Sequence, residues 1–333
     1  MRRGLTIAIA LAAGCGGAAS EKGGDAAAMS ASDASDDVQP FMPPSIPDVG
    51  YTMNPGDNGG YLLGQQVSAA ELATINGAVQ ATVPSVCGKL RGIVRDFKGA
   101  LPAYMGTLQP GGHPDFEVFE GRGITKGLVA PALPSSGDGG APAPRKPVYT
   151  GACELGKVTA NPTGPCPFGA MTTTEENFNQ WYTSDDRVNM TYLVYFSLVP
   201  DGVGNFRFSS NKFFPLDGAG WGNSGLDMNG TPRNYSFTTE IHAQFKYNGG
   251  ETFTFDGDDD VWIFINGTLA VDLGGLHEDT TGAVNLDQSA SALGITPGNV
   301  YSLDLFNAER HSVNSDFSIE LNFQFQDCGY IVP

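Results

Sequence analysis

From residue 89 to residue 325 the apolar positions recur mostly with a period of two, the spacing of strands that bury one face. The clearest runs are Phe253/Phe255, Leu303/Leu305 and Phe317/Ile319/Leu321/Phe323/Phe325. Further aromatic and β-branched segments at 90–97, 191–199, 205–209, 235–247, 261–265, 268–273 and 283–286 are also expected to be strands. Asn266-Gly267 between two of these runs predicts a two-residue type I′ hairpin, because both turn positions require positive φ. Helical signals are few. Ser68 with Glu71 forms a capping box opening a short helix that Gly77 stops, and Thr173 with Glu176 opens a second, with Phe178, Trp181 and Tyr182 on one face. The segment 121–147, rich in Pro and Gly, is expected to be a long surface loop. The pattern predicts an all-β fold, an antiparallel sandwich or barrel with one or two short helices and long loops.

The first fifteen residues follow another plan. Arg2-Arg3, an apolar run from Leu5 to Ala13 and then Gly14-Cys15 match a secretory signal, and the run is too short to span a bilayer. The ending resembles a bacterial lipoprotein signal, which implies lipidation of Cys15 and export to an outer membrane or cell surface. It departs at Ala12, where Leu is usual three places before the Cys. Residues 16–60 are Gly, Ala, Ser, Asp and Pro with few large apolar side chains, a composition expected to remain a flexible tether. Residues 61–86 read as a short extension before a domain spanning 87–329.

Composition sharpens this picture. Gly (45) and Pro (22) make up about a fifth of the chain against roughly 12% in average usage, which disfavours long helices. A net charge of −18 argues against nucleic acid, whose phosphates need clustered Lys and Arg, and favours cations. Nor does the sequence carry an enzyme signature. Gly222-Asn223-Ser224-Gly225-Leu226 lacks the second Gly of a nucleophile elbow, and there is no P-loop, dinucleotide fingerprint or H-E-x-x-H pair. A non-enzymatic role is the expectation.

Several stretches in order resemble the fibro-slime domain of secreted and surface proteins. They are Ile93-Val94-Arg95-Asp96-Phe97, His113-Pro114-Asp115-Phe116-Glu117, Phe178-Asn179-Gln180-Trp181-Tyr182, Phe213-Phe214-Pro215-Leu216-Asp217, the run Phe253 to Gly267 continuing through Asp272 to His277, and Ala308-Glu309-Arg310-His311. Arg233 stands where that family commonly has His. The core of such domains is similar in turn to the anthrax protective-antigen-type β-sandwich, which implies a jelly-roll-like fold. In its sugar-binding members a consecutive Asp pair before an Asn-Gly or Asp-Gly hairpin holds a Ca²⁺ that touches sugar hydroxyls. Counting back from Gly267 puts that pair on Asp258-Asp259, with Asp260 where Gly is usual.

Read without the resemblance, Asp256, Asp258, Asp259 and Asp260 crowd four carboxylates beside an apolar strand, and such crowding calls for a cation. Ca²⁺ suits an all-oxygen set in flexible geometry. Asp256-x-Asp258-x-Asp260 starts like an EF-hand loop, but Val261 and Gly267 occupy the places of its Gly and Glu. The resemblance adds Asn307, Asn314 and Asp316 as further candidate metal ligands. Trp221, His277, Glu309 and His311 are candidate ligand-binding residues, and Tyr182 is a second aromatic that would be able to stack on a sugar if exposed. The expected partner is a glycan or an extracellular matrix component, with the membrane reached by a lipid anchor alone.

With Cys15 set aside, Cys87, Cys153, Cys166 and Cys328 remain, and four cysteines allow three connectivities. Cys153 and Cys166 bracket a Pro- and Gly-rich loop, while Cys87 and Cys328 flank the first and last strand-like segments. Peptide mapping without reductant is expected to find Cys87 joined to Cys328 and Cys153 to Cys166. Loop entropy gives about 5 kcal/mol for the long closure and about 3 for the short one; a Cys87–Cys153 peptide would refute the pairing.

Overall fold

The computed structural model describes residues 50–77, 89–99, 112–116, 146–147, 173–277, 279–310, 314–323 and 325–330. In chain order the described elements are β1 (Gly60–Val67), α1 (Ala69–Gly77), β2 (Lys89–Phe97), α2 (Glu175–Phe178), β3 (Asn189–Ser197), β4 (Val199–Pro200), β5 (Phe206–Ser210), β6 (Gly225–Leu226) and β7 (Pro232–Arg233). They continue as β8 (Phe237–Lys246), β9 (Thr252–Gly257), β10 (Asp260–Ile265), β11 (Thr268–Leu273), β12 (Thr280–Asn285), α3 (Leu286–Leu293), β13 (Val300–Glu309), β14 (Phe317–Leu321) and β15 (Phe325–Tyr330). A large antiparallel sheet runs β1-β3-β2-β8-β13-β10-β11, with β15 also paired to β8; a smaller one runs β12-β9-β14-β5-β4. The two sheets form the expected sandwich.

Strand alternation explains how the layers meet. Val261, Ile263 and Ile265 of β10 enter the core between the sheets with Leu303, Leu305, Ile241, Phe245, Phe253, Phe255, Phe317 and Ile319. Trp262 and Phe264, the intervening positions, point to the other side and join Phe97, Phe116, Phe178, Trp181, Tyr182 and Phe306 in a second core. Because both faces are buried, β10 reads as an unbroken apolar run instead of an alternation. A short 3-10 turn (Pro114–Phe116), α2 and the residues just after α2 cover this outer face. α1 covers its other end, packing Leu72 and Ile75 on Ile93, Leu193 and Tyr195.

The outer face also buries charge. Arg95 pairs with Glu240, and His242 lies between Glu240 (Nε2–Oε1, 2.7 Å) and Asp304 (Nδ1–Oδ1, 2.7 Å). Burial opposes a charge on His242, but hydrogen bonds to Asp304 and Glu240 override it and raise its pKa to about 9. Burial likewise disfavours a charged Glu240, yet Arg95 and His242 hold its carboxyl down at about 2.

Several expectations need correction. β1, read as part of an extension outside the domain, is an edge strand of the large sheet, with Tyr61 opposite Phe196 and Val67 opposite Thr191. Main-chain hydrogen bonds from Thr52 to Tyr61 and from Asn58 to Ser209 bring part of the expected tether onto the sandwich as well. The second helix is capped by Thr174, whose side chain accepts from Asn177 N, while Thr173 is drawn off by Asp115. The long run ending at Phe325 breaks at Asn322: its side chain accepts from Thr252 N and donates to Gly250 O, making a corner where the chain leaves the small sheet for the large one. α3 was not anticipated, although Asn285 caps its start and Gly294, at φ 64°, its end. The hairpin is as expected, with Asn266 at φ 52° and Gly267 at φ 70°. The capping box of α1 is also present, with Ser68 N donating to Glu71 Oε2 at 2.8 Å and Glu71 N to Ser68 Oγ at 3.2 Å.

His242 generates a pH prediction. Its pKa is about 6.5 unfolded and about 9 folded, so its stabilisation is complete below pH 6.5 and lost as the pH rises through 9. The shift corresponds to on the order of 3 kcal/mol. Melting temperature in chelator is expected to fall across that window, and to fall less in His242→Gln; equal slopes for both proteins would refute the assignment.

Candidate functional site

The chain passes from the small sheet to the large one through residues 257–260, so the acidic run sits at one end of the sandwich where β9 hands over to β10. Close packing dictates its first residue. A Cβ on Gly257 would lie 2.3 Å from the Asp316 carbonyl oxygen, which only glycine avoids. Asp258 then locks onto the same neighbour: its N–H donates to Asp316 O (3.2 Å), and its Oδ1 accepts from Asp316 N (2.6 Å). Asp259 turns the chain at φ 51°, a left-handed conformation that Asp and Asn tolerate better than other side chains. Its Oδ2 accepts from Arg310 N at 2.8 Å.

Asp260 is held by the side chain of the same arginine. Its wholly buried carboxylate accepts from Gly275 N (2.6 Å) and Arg310 Nε (2.7 Å), and lies 2.7 Å from Arg310 Nη2. The Arg310 guanidinium stacks over the Trp181 ring, 4.5 Å from its centroid. Trp181 Nε1 donates to Asp115, and the other oxygen of Asp115 caps Thr173 N and Oγ1, both at 2.7 Å. Asp260 is thereby the inner anchor of a chain of contacts that pins the outer layer to the acidic turn.

Around the turn the charges remain crowded. Burial, followed by repulsion from Asp259, holds the Asp258 carboxyl well above its ordinary range. Burial and the charges of Asp279 and Asp256 raise Asp316 to about 6. Asp256, half-buried, accepts from Thr281 Oγ1 at 2.7 Å. Repulsion thus links Asp258 with Asp259, Asp316 and Asp279, and Asp316 with Asp256; Asp279 was not in the expected ligand set. Asn307 is buried beside the turn, its Nδ2 donating to Asp260 O at 3.3 Å, and Asn314 is exposed on the neighbouring loop. Among the described residues no three His, Cys, Asp or Glu side chains converge as a ready-made metal site. The oxygens available are two Asp carboxylates in one turn with carboxylate and carbonyl neighbours, an all-oxygen donor set that fits a hard cation.

The other candidates divide. His277 is buried and its Nε2 bonds to Leu273 O at 2.7 Å; Glu309 is buried where β13 meets β8 opposite Phe237. Neither reaches solvent. Tyr182 is likewise buried, in the outer core, so it cannot stack on a sugar. Trp221 is exposed, away from the acidic turn. Cys15, Cys87, Cys153, Cys166 and His311 lie outside the described residues, as does the side chain of Cys328. Arg310 was legible only as part of the Ala308-Glu309-Arg310-His311 stretch, with no sequence signal for its pairing to Asp260 fifty residues away.

Comparison with known proteins follows the same outline. Residues 219–331, which contain the acidic turn and its neighbours, match the model of the PA14 domain. Proteins psiQ and psiD of Dictyostelium discoideum are each 34% identical to this chain, over 240 and 220 residues; the matches cover 69% and 65% of the chain but 22% and 40% of those proteins. psiC of the same organism is 32% identical over 243 residues, 69% of the chain and 43% of psiC. The chain therefore spans less than half the length of these curated relatives. A PA14 sugar-binding domain from an RTX adhesin, 12% identical, covers 38% of the chain and 76% of that structure with a TM-score of 0.23.

The ion pair predicts a large asymmetric effect. Arg310→Met leaves Asp260 buried without its counter-charge and is expected to cost about 3–5 kcal/mol by chemical denaturation. Adding Asp260→Asn to Arg310→Met should restore part of that loss. A single-variant cost below about 1 kcal/mol would show that the pair does not hold this end of the sandwich together.

Proposed function

We propose that this chain is an exported recognition module that binds a glycan or matrix polysaccharide, and that the acidic turn holds Ca²⁺ through Asp258 and Asp259. The observation that carries the reading is the crowding of charge at the turn. Burial, then repulsion from Asp259, Asp316 and Asp279, pushes the Asp258 carboxyl well above its ordinary range, and burial with Asp279 and Asp256 raises Asp316. A divalent cation would relieve that repulsion, as carboxylates this close disfavour one another's ionised form. Carboxylates and main-chain carbonyls would hold the ion, and Asp256 and Asp316 border the same space.

The PA14 match over residues 219–331 supports carbohydrate recognition, because that domain is of the carbohydrate-binding and adhesion type. The motif order supports the narrower fibro-slime reading. The signal-like start and Cys15 support export with a lipid anchor, and the absence of an enzyme motif in the sequence supports a binding role. A second reading has a specific observation behind it: Asp258 and Asp259 are 9% and 3% exposed. An ion held that deeply would stiffen the turn of a matrix component without touching ligand. A glycan array run with and without chelator separates the two, since only the first makes glycan binding depend on calcium.

Calcium binding is the direct test. Calorimetry on chelator-stripped protein is expected to give heat with calcium, and melting temperature should rise, because an ion bound only by the folded state stabilises it by mass action. Asp259→Asn keeps a residue that tolerates the left-handed turn and removes one charge. Its calcium affinity should fall at least tenfold. Neither heat nor a melting shift at millimolar calcium would reduce the acidic run to a structural turn.

A further inference from the structure

Trp221 is 43% exposed, whereas Trp181 and Trp262, the other two tryptophans of the chain, are fully buried. An indole has an apolar face and a polar edge, and its face matches the apolar face of a sugar ring. Trp221 borders a groove of about 510 Å³ that is also lined by Gln66, Ser68, Glu71, Asp186, Asn189 and Met190. Met190 adds an apolar surface beside the indole, and the exposed amide, hydroxyl and carboxylates are groups that hydrogen-bond to hydroxyls.

Several contacts hold the groove in shape. Trp221 N–H donates to Asp96, a buried carboxylate that also accepts from Asn234 Nδ2 at 2.8 Å. Gly220 takes φ 56° at a place where a Cβ would fall 1.9 Å from Asp96 Oδ2, so the segment lies hard against that carboxylate. Lys98 sits over the indole with its ammonium 5.8 Å from the ring centroid. Opposite, Glu71 is fixed by the α1 capping box, and Asp186 Oδ1 accepts from Ala69 N at 3.0 Å. A wall whose rotamers are already set loses little entropy on binding.

The groove is separate from the acidic turn. Pairing runs from Asp260 to Ala308, from Glu309 to Phe237 and from Phe237 to Asp96, on which Trp221 rests, so three strand steps intervene. At the usual strand spacing that is about 14 Å along one end of the large sheet. We infer that the Trp221 groove is a second, calcium-independent binding site for a neutral pyranose oligosaccharide, with the sugar ring stacked on Trp221 and its hydroxyls met by Gln66, Ser68, Glu71 and Asp186. The two carboxylates in the wall outnumber the Lys98 ammonium over the ring and so disfavour uronic or sulfated sugars. This inference shares the ligand class of the proposed function but not its metal, and the two fail independently.

The test uses the full chain in chelator, titrated calorimetrically with the hexasaccharides of β-1,4-glucose, β-1,4-N-acetylglucosamine and α-1,6-glucose, with hexagalacturonate as the anionic control. At least one neutral hexasaccharide is expected to bind, and to shield Trp221 from acrylamide, since the other two indoles are already inaccessible. Trp221→Ala should weaken that binding at least tenfold, Trp221→Phe less, and Asp259→Asn should leave it unchanged. A titration of the chelator-stripped protein with calcium alone reads the acidic turn. Absence of heat with all three neutral sugars in chelator would overturn the inference. So would undiminished binding by Trp221→Ala, equal binding of hexagalacturonate, or a loss in Asp259→Asn matching that in Trp221→Ala.

Discussion

The buried ion pair between Asp260 and Arg310 is the constraint on which this end of the molecule depends. Taking two charges out of water is costly, and the cost is offset only when geometry and additional hydrogen bonds satisfy both groups. Here Gly275 N and the guanidinium satisfy the carboxylate, and the Trp181 face receives the other side of the cation. Asp260 begins β10, Arg310 follows β13, and Trp181 belongs to the outer layer. One interaction therefore joins two neighbouring strands and the layer above them, and it orients the turn that carries Asp258 and Asp259.

The same logic extends across the outer face of the large sheet. A face bearing Arg95, Glu240, His242 and Asp304 would ordinarily be left in water, but the segment carrying Phe116, Phe178 and Trp181 closes over it. Closure is tolerable because the charged groups pair with one another and the aromatics supply apolar contact beside them. Such a mixed core fixes where the covering layer sits, since a shifted layer would leave charges unpaired.

Two features at that end of the sheet point to ligands by different chemistry. The acidic turn is crowded and deep, suited to a cation. The Trp221 groove is open and shaped by groups already held in place. Both lie on turns and loops supported by strands, where a rigid scaffold positions recognition groups without requiring them to pack a core.

The sequence by itself determined the all-β class, most strands, the Asn266-Gly267 hairpin and the crowding of aspartates, because these follow from local pattern and backbone preference. It misplaced β1, since Gly60–Val67 becomes a strand only by pairing with β3, whose residues lie some 130 positions away. It also treated the Phe317 to Phe325 alternation as one strand, because period two continues through the corner that Asn322 makes. Which aspartates face one another, and which single one takes the arginine, was not legible in DGDDD. Tertiary structure decided that: Asp258 bonds to Asp316 N, Asp259 to the main-chain N of Arg310 and Asp260 to its guanidinium. Trp221 and Tyr182 were equivalent aromatics in the sequence. Only the fold separated them, burying Tyr182 under the outer layer and leaving Trp221 at the groove.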